Sequence, residues 1–322
     1  MSRPTPAGLV KASTGQPAGP CRLCGATAQQ SRVLHRSAHG NLAFLRCLAI
    51  GPGGAAVESS LLHCGLCDFA YFSPCPEQSF LDDYYANQRH GGGTDEAALA
   101  ARLESWSFGQ ENEAIAAFLA AHGVALGPGF PGTVLDIGSG AGEFAHFARR
   151  RGLRVVAVEP GRAHCDFLRR HLDCEVVEST LEAMPEAYDG SAALVFCKES
   201  LEHHPAPAAS LARFFALLAP GGRLFLTFPN LNSWTLQQDV FDHPYFAFPA
   251  HLNYFSVHAI EGALERAGFR VEAAETSTFT AELAWCYERA IRLRGARPEW
   301  HHLDEMTRAG AHERILVLAA KP

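Results

Sequence analysis

Three groups of residues in this 322-residue chain have the types and spacing to do chemistry. The first is a pair of C-x2-C knuckles, Cys21-Arg-Leu-Cys24 and Cys64-Gly-Leu-Cys67. A closed tetrahedral zinc site takes four such thiolates, so Cys21, Cys24, Cys64 and Cys67 are predicted to hold one structural Zn2+ with no position left open for catalysis. Cys47, Cys75, His39 and His63 read as packing or surface residues beside it. The second group is Leu135-Asp-Ile-Gly-Ser-Gly-Ala-Gly142, a glycine turn that follows an apolar run and opens a helical one. Its spacing is G-x-G-x-G with Glu143 next, so the G-x-G-x-x-G dinucleotide fingerprint fails at its third glycine. Asp136 before the turn suits a ligand ammonium better than a pyrophosphate. Glu159, at the end of the next apolar run, can accept hydrogen bonds from both hydroxyls of a ribose. Together these residues describe a nucleoside that carries an amino acid. The third group is split. Lys198-Glu-Ser-Leu-Glu-His-His204 places Glu202 beside His203, and a histidine oriented by a carboxylate suits a general base. Phe241-Asp-His-Pro-Tyr-Phe-Ala-Phe-Pro-Ala-His251, with Tyr254 close behind, is aromatic and aperiodic, as a substrate lid would be. His203, Glu202, His251 and Tyr254 are the catalytic candidates. His204, next to Pro205, is expected to be exposed.

The elements that must position these groups follow from the apolar pattern. Strand-like runs at 133–137, 154–158, 175–177, 192–197, 223–228, 269–274 and 314–319 alternate with helical stretches at 143–151, 161–171, 208–218 and 257–267. Most of the runs are continuously apolar, the mark of a sheet covered on both faces. The fold class is therefore α/β, a doubly wound sheet. A further helical stretch is predicted over 96–122, and the helix from 208 is expected to stop at Pro220-Gly-Gly222. Residues 1–20 read as a disordered tail, 21–90 as the zinc-binding module with a hairpin around Gly51-Pro-Gly-Gly54, and 95–322 as the catalytic domain. Gly91, Gly92 and Gly93 mark the break between the last two.

Composition narrows the function. Hydrophobic residues make up 48%, enough for a sizeable core, and 27 basic against 34 acidic residues give a net charge of −7. That balance argues against bulk nucleic-acid binding. No apolar run is long enough for a membrane span, and the N-terminus has no secretory h-region. Cysteines clustered as knuckles fit a reducing compartment, so a cytoplasmic protein acting on a small-molecule substrate is expected.

Val134-Leu-Asp-Ile-Gly-Ser-Gly-Ala-Gly142, Val156-Ala-Val-Glu159 and Leu218-Ala-Pro-Gly-Gly-Arg-Leu-Phe-Leu226 resemble, in order and spacing, the signature blocks of class I S-adenosylmethionine (SAM)-dependent methyltransferases. The resemblance covers about residues 100–275 and the last strand. It implies a seven-stranded, Rossmann-like sheet with the last strand antiparallel. It also implies SAM as methyl donor, with its methionine end at Gly138, Gly140 and Gly142, its ribose on Glu159, and its adenine edge at Thr180 and Leu181. With Asp136, Ser139 and Lys198 these complete the cofactor-side candidates. A zinc-binding N-terminus followed by Tyr84-Tyr85 is similar to small-molecule enzymes that include C-methyltransferases of nucleotide sugars, whose extra C-terminal domain has no counterpart here. The expected reaction is O- or C-methylation of a small metabolite. Two other readings stay open: an RNA methyltransferase gripping RNA through Arg22, Arg32, Arg36 and Arg46, and a non-catalytic SAM-binding protein. The Asn/Asp-Pro-Pro-Tyr segment of base N-methylation is missing. Cys197 has no preceding proline and reads as a buried strand residue.

Overall fold

The computed structural model describes residues 19–27, 31–33, 46–50, 56–87, 95–238, 245–279 and 312–322. Two sheets organise it. The larger has seven strands: β5 (Thr133–Ile137), β6 (Arg154–Glu159), β7 (Glu175–Glu178), β8 (Ala192–Lys198), β9 (Leu218–Pro229), β11 (Arg270–Ser277) and β12 (Arg314–Ala320). Their spatial order is β11-β12-β9-β8-β5-β6-β7. β7, β6, β5, β8 and β9 are parallel neighbours, and β12 runs antiparallel to both β9 and β11. This is the doubly wound sheet that the apolar pattern predicts, with the antiparallel last strand that the family resemblance implies.

The alternation of side chains across the strands builds two apolar layers. Leu135, Ile137, Val156, Val158, Val195 and Cys197 face one layer, with α6 (Pro207–Leu217) and α8 (Val257–Arg266). Val134, Val155, Ala157, Leu194 and Phe196 face the other, with α3 (Trp106–Ala121), α4 (Glu143–Arg150) and α5 (Arg162–His171). Two helix starts carry side-chain caps: Asp95 accepts from Ala98 N at the head of α2 (Glu96–Leu103), and Ser256 accepts from Ala259 N at the head of α8.

Two elements differ from the sequence expectation. The stretch 96–122 is two helices, because Ser105 leaves the helical region (φ −66°, ψ 126°) and begins α3 anew. Residues 218–222 do not end a helix in a free turn. They already belong to β9, whose register against β8 slips between Ala192 and Leu194. Gly222 permits that slip, since a Cβ there would lie 2.8 Å from the Ala192 carbonyl oxygen.

The smaller sheet contains β1 (Ser31–Val33), β2 (Arg46–Ile50), β3 (Ala56–Cys64) and β4 (Phe69–Ser73), all antiparallel. The β2–β3 hairpin forms as expected; its tip, 51–55, and the stretch 88–94 with the glycine break lie outside the described residues, as do 1–18 of the predicted tail. The sheet is completed from far along the chain. β10 (Asn253–Tyr254) pairs with β4, joining Asn253 to Tyr71 and Tyr254 to Ala70. The knuckle cysteines pack in the same apolar layer as the strands of the large sheet.

Arg22, between the first two cysteines, locks the two parts together. Its guanidinium donates to the carbonyls of Phe72, Pro205 and Leu252, each at 3.0 Å, and lies 5.2 Å from the Tyr71 ring centroid. Replacing it would leave the Phe72 and Pro205 carbonyls without this donor, each costing about 1–3 kcal/mol and not additively, while the Leu252 carbonyl keeps its bond from Phe72 N at 3.0 Å. Arg22→Ala is therefore expected to lower unfolding free energy by roughly 3–5 kcal/mol in urea titrations. A loss below about 1 kcal/mol would mean that the carbonyls rehydrate and Arg22 is no anchor.

Candidate active site

The glycine turn leaves the carboxyl end of β5 and enters α4. Gly138, Gly140 and Gly142 all have positive φ (73°, 55° and 85°). They differ in what surrounds them. A Cβ on Gly138 would reach 2.6 Å from Ser200 Oγ, and one on Gly142 would reach 2.4 Å from Leu168 Cδ2, so these two glycines serve close packing. Gly140 faces open space, which leaves its backbone accessible to a ligand. Ser139 tightens the turn by donating from Oγ to the Asp136 carbonyl at 2.7 Å.

Two buried carboxylates flank this turn. Asp136 is only 3% exposed, and its Oδ2 has no hydrogen-bond partner among the described residues. Burial, reinforced by the Glu143 charge, pushes its pKa up to about 7. Glu159 spans the neighbouring strand end, accepting from Gly161 N (2.8 Å) and Gly140 N (3.0 Å). Burial raises its pKa, against the pull of those two N–H groups. A carboxylate has about four acceptor sites, so two remain for a ligand's hydroxyls. These two acceptors suit a ribose and an ammonium at adjacent strand ends.

The other cofactor-side candidates border the same edge. Thr180 and Leu181 follow β7; Thr180 Oγ1 accepts from Ala183 N, and Leu181 is buried in the core. Lys198, at the end of β8, is ion-paired to Glu111 of α3 at 2.9 Å and lies near the Phe108 ring. Helices α2 and α3 thus roof the cleft. Leu99 packs on Ala141 and Phe167, and Arg102 pairs with Glu143 at 2.5 Å.

Glu202, His203 and His251 come together. One ligand-type atom from each lies within 4.8 Å of the others. Residues 201–203 form a single helical turn after β8, and His251 comes from the segment ahead of β10. Backbone bonds knit the two: Leu252 N and Asn253 Nδ2 donate to the Glu202 carbonyl, and Asn253 Nδ2 also donates to that of His204. His203 is oriented differently from the expectation. Its Nδ1 is 2.8 Å from the Ala250 carbonyl, which can only accept, so Nδ1 carries a proton and, in the neutral ring, Nε2 the lone pair. Glu202 stands 3.9 Å from that Nε2 instead of holding the ring. Glu202 is fully buried, and burial together with the Glu199 charge drives its pKa well above the carboxylate range.

Tyr254 is not part of this group. Its ring is buried in the aromatic packing of the small sheet, 5.9 Å from Phe246 and 6.2 Å from Phe72. Tyr84 packs with Phe80, Leu81 and Leu252, and the Tyr85 side chain lies outside the described residues. His204 is largely buried, correcting the expectation of exposure. It bonds Ser210 Oγ at 2.9 Å and sits 3.2 Å from Glu182, whose pKa burial pushes up but the His204 hydrogen bond holds down near 2.

Three residues around the site escaped the sequence reading. Glu199 has a positive φ of 50°, unusual for a glutamate, and is ion-paired to Arg314 of β12. Arg314 also bonds the Tyr245 hydroxyl at 2.7 Å, and the Tyr245 ring stacks on His251. A glutamate at the end of a strand and an arginine opening the last one carry no local signal of their meeting.

The four knuckle cysteines converge as predicted from their spacing. Cys21 and Cys67 Sγ are 3.8 Å apart, Cys24 and Cys64 Sγ 3.7 Å, and all four lie within 4.8 Å. A tetrahedron with Zn–S bonds of about 2.3 Å has edges of about 3.8 Å, so the donor set fits. His63 is turned to Asp68 at 2.7 Å, and Cys75 lies beside Arg22. His39 and the Cys47 side chain lie outside the described residues. A separate cavity of about 750 Å³ opens at the amino ends of the large sheet's strands, among Arg149, Arg154, Asp173, Glu175 and Tyr188. It contains neither the glycine turn nor a histidine.

The chain is similar to several known proteins. The ubiquinone biosynthesis O-methyltransferase of Pseudomonas paraeruginosa is 36% identical over 105 residues, covering 31% of this chain and 45% of that protein. The Serratia proteamaculans protein of the same name is 35% identical over 113 residues, covering 32% and 45%. The chain thus spans less than half the length of these curated relatives. An S-adenosylmethionine-dependent methyltransferase of known structure from Mesorhizobium loti superposes with a TM-score of 0.47 at 18% identity, over 63% of this chain and 96% of that one. A family model described as a methyltransferase domain matches residues 31–274, three quarters of the sequence, and the chain belongs to that methyltransferase family.

Proposed function

We propose that the protein transfers a methyl group from S-adenosylmethionine to oxygen or carbon of a small metabolite. The observation that carries this reading is the buried Asp136 Oδ2, which has no hydrogen-bond partner among the described residues, beside the Gly140 backbone and Glu159. Bound there, S-adenosylmethionine supplies an electrophilic methyl on a sulfonium. Asp136 would meet the ammonium, Glu159 the ribose hydroxyls, and 180–181 the adenine edge. Glu202, His203 and His251 deal with the acceptor and its proton. They share the edge with the glycine turn, since Ser200, two residues before Glu202, adjoins Gly138. The names of the matched relatives favour an oxygen acceptor.

In this reading 21–90 is a zinc module on Cys21, Cys24, Cys64 and Cys67, and 95–322 is the methyltransferase domain. The zinc is structural, and its thiolates suit a reducing compartment such as the cytoplasm. The RNA reading is weakened by Arg22, whose guanidinium is committed to three backbone carbonyls.

The direct test is titration of SAM, S-adenosylhomocysteine and NADH into the zinc-loaded protein. Micromolar binding of the first two and none of NADH is expected; no SAM binding would sink the reading. Metal analysis should return one zinc per chain, and Cys64→Ser should lower that content and the melting temperature together. A zinc content unchanged by the substitution would remove the cysteine site.

Asp136 gives a pH test with a defined sign. Its folded pKa, about 7, lies above the ordinary carboxylate value. The folded state therefore holds this proton more tightly than the unfolded chain. Its contribution to stability is complete below about pH 4 and is lost as pH rises to about 7. Asp136→Asn should raise the melting temperature of the ligand-free protein at pH 8 by several degrees while weakening SAM at least tenfold. Wild-type SAM affinity should rise between pH 6 and 7.5. A destabilised Asp136→Asn protein with unchanged SAM affinity would show that the carboxylate is structural.

A further inference from the structure

We propose that Glu202, His203 and His251 form a second metal site, for a divalent first-row cation that binds the acceptor's hydroxyl oxygen. The inference rests on the methyltransferase reading for its chemistry but on the geometry of the three side chains for the site itself.

Glu202 is 1% exposed, and neither of its carboxylate oxygens accepts a hydrogen bond from a described residue. Leaving a carboxylate so buried and unbonded is costly unless a proton or a cation joins it, and a metal ion displaces that proton. The nearest candidate, His203 Nε2, is 3.9 Å from Oε1, too far for a hydrogen bond. It is the right distance for two ligands of one ion: donors at about 2.1 Å from a metal stand roughly 3–4 Å apart. A ring nitrogen of His251 completes the set, all within 4.8 Å. The two imidazoles meet edge to face, with centroids 4.8 Å apart and planes at 80°, so they approach one point without stacking.

The surroundings are those of a held site. The His203 Nδ1–H donates to the Ala250 carbonyl, which in the neutral ring leaves Nε2, 3.9 Å from Glu202 Oε1, as the free nitrogen. Ligating histidines are oriented in this way by an outer carbonyl or carboxylate. Arg314 engages Glu199 and so keeps that second acid paired elsewhere. Two nitrogens and one carboxylate favour Zn2+, Mn2+, Fe2+ or Co2+ over Mg2+ and Ca2+, which take oxygen ligands. Three protein donors leave at least one coordination position open, as a catalytic metal site requires.

The open position gives the reaction its acceptor. A hydroxyl bound to the cation loses its proton to solvent more readily, because the cation stabilises the oxyanion. That oxygen then forms the new bond to the methyl carbon. The carbon–sulfur bond breaks with its electron pair going to sulfur, and the products are a methyl ether, S-adenosylhomocysteine and one proton. On this account the cation lowers the acceptor's pKa, and His203 serves as a ligand in place of a free base.

Mn2+ binding to the full chain, loaded with one equivalent of Zn2+ for the cysteines, tests the proposal. Mn2+ is the weakest competitor for thiolates in the divalent series, so it reads the nitrogen–oxygen site. Electron paramagnetic resonance should show one Mn2+ per chain. Glu202→Gln and His251→Ala should each weaken it at least tenfold with zinc content and SAM affinity retained. Mn2+ should also broaden the ring resonances of His203 and His251 in the unmutated protein, a readout that does not depend on the variants folding. No bound Mn2+ at millimolar concentration, or binding with neither histidine broadened, overturns the site. SAM binding without Mn2+ discards the metal site and leaves the methyltransferase reading standing. Mn2+ binding without SAM does the reverse.

Discussion

A buried guanidinium must be given acceptors, and in this chain the acceptors of Arg22 come from three separated segments. Phe72 belongs to the small sheet, Pro205 follows the Glu202–His203 turn, and Leu252 follows His251. The residue that supplies the donors sits between two cysteines of the knuckle cluster. The geometry of that cluster and the geometry of the histidine group are therefore one mechanical problem. β10 adds to the coupling, because Asn253 lies in register with Tyr71 while its side chain bonds the carbonyls of Glu202 and His204. Asp68 in the second knuckle does the same on the far side, accepting from Ser256 at the head of α8 through its backbone carbonyl. A small module with little core of its own thus holds two loops that would otherwise be free at the edge of the large sheet.

What the sequence made legible was what repeats locally. Apolar runs marked every strand of the large sheet, most of them to within a few residues, though β9 begins five residues ahead of its predicted start. The glycine turn declared its place because positive φ at 138, 140 and 142 demands the residue type. The C-x2-C pairs declared the cysteine cluster because each knuckle carries two donors at fixed spacing. His251 was visible by its chemistry alone, and the structure joins it to Glu202 and His203.

What was not legible depends on contacts between distant segments. Nothing in Asn253-Tyr254 says that it will add a strand to residues 69–73, and Tyr254 therefore looked like a lid residue when it is a core aromatic. Arg22 read as surface charge because the three carbonyls it serves lie 50, 183 and 230 residues away. His204 looked exposed beside a proline, yet Ser210 and Glu182 close around it. The orienting partner of His203 is a backbone carbonyl, Ala250, and a carbonyl has no letter in the sequence.

The carboxylates at the site edge explain why such contacts had to be built. Asp136, Glu159 and Glu202 are all removed from water, and each is compensated differently. Glu159 is answered by two backbone N–H groups, Asp136 keeps Oδ2 without a donor, and Glu202 is met by neither backbone nor side-chain donors among the described residues. Burial of this kind costs stability in the ligand-free protein, and the cost falls where a cation or hydroxyl would relieve it. The relief is selective. A neutral ligand without an ammonium would leave Asp136 uncompensated, and a ligand without vicinal hydroxyls would gain nothing from Glu159. The scaffold must then be rigid enough to keep these charges apart from water between turnovers. Here the rigidity comes from Arg22 and the knuckles on one side and from α2 and α3 on the other, where Lys198–Glu111 and Arg102–Glu143 close the roof.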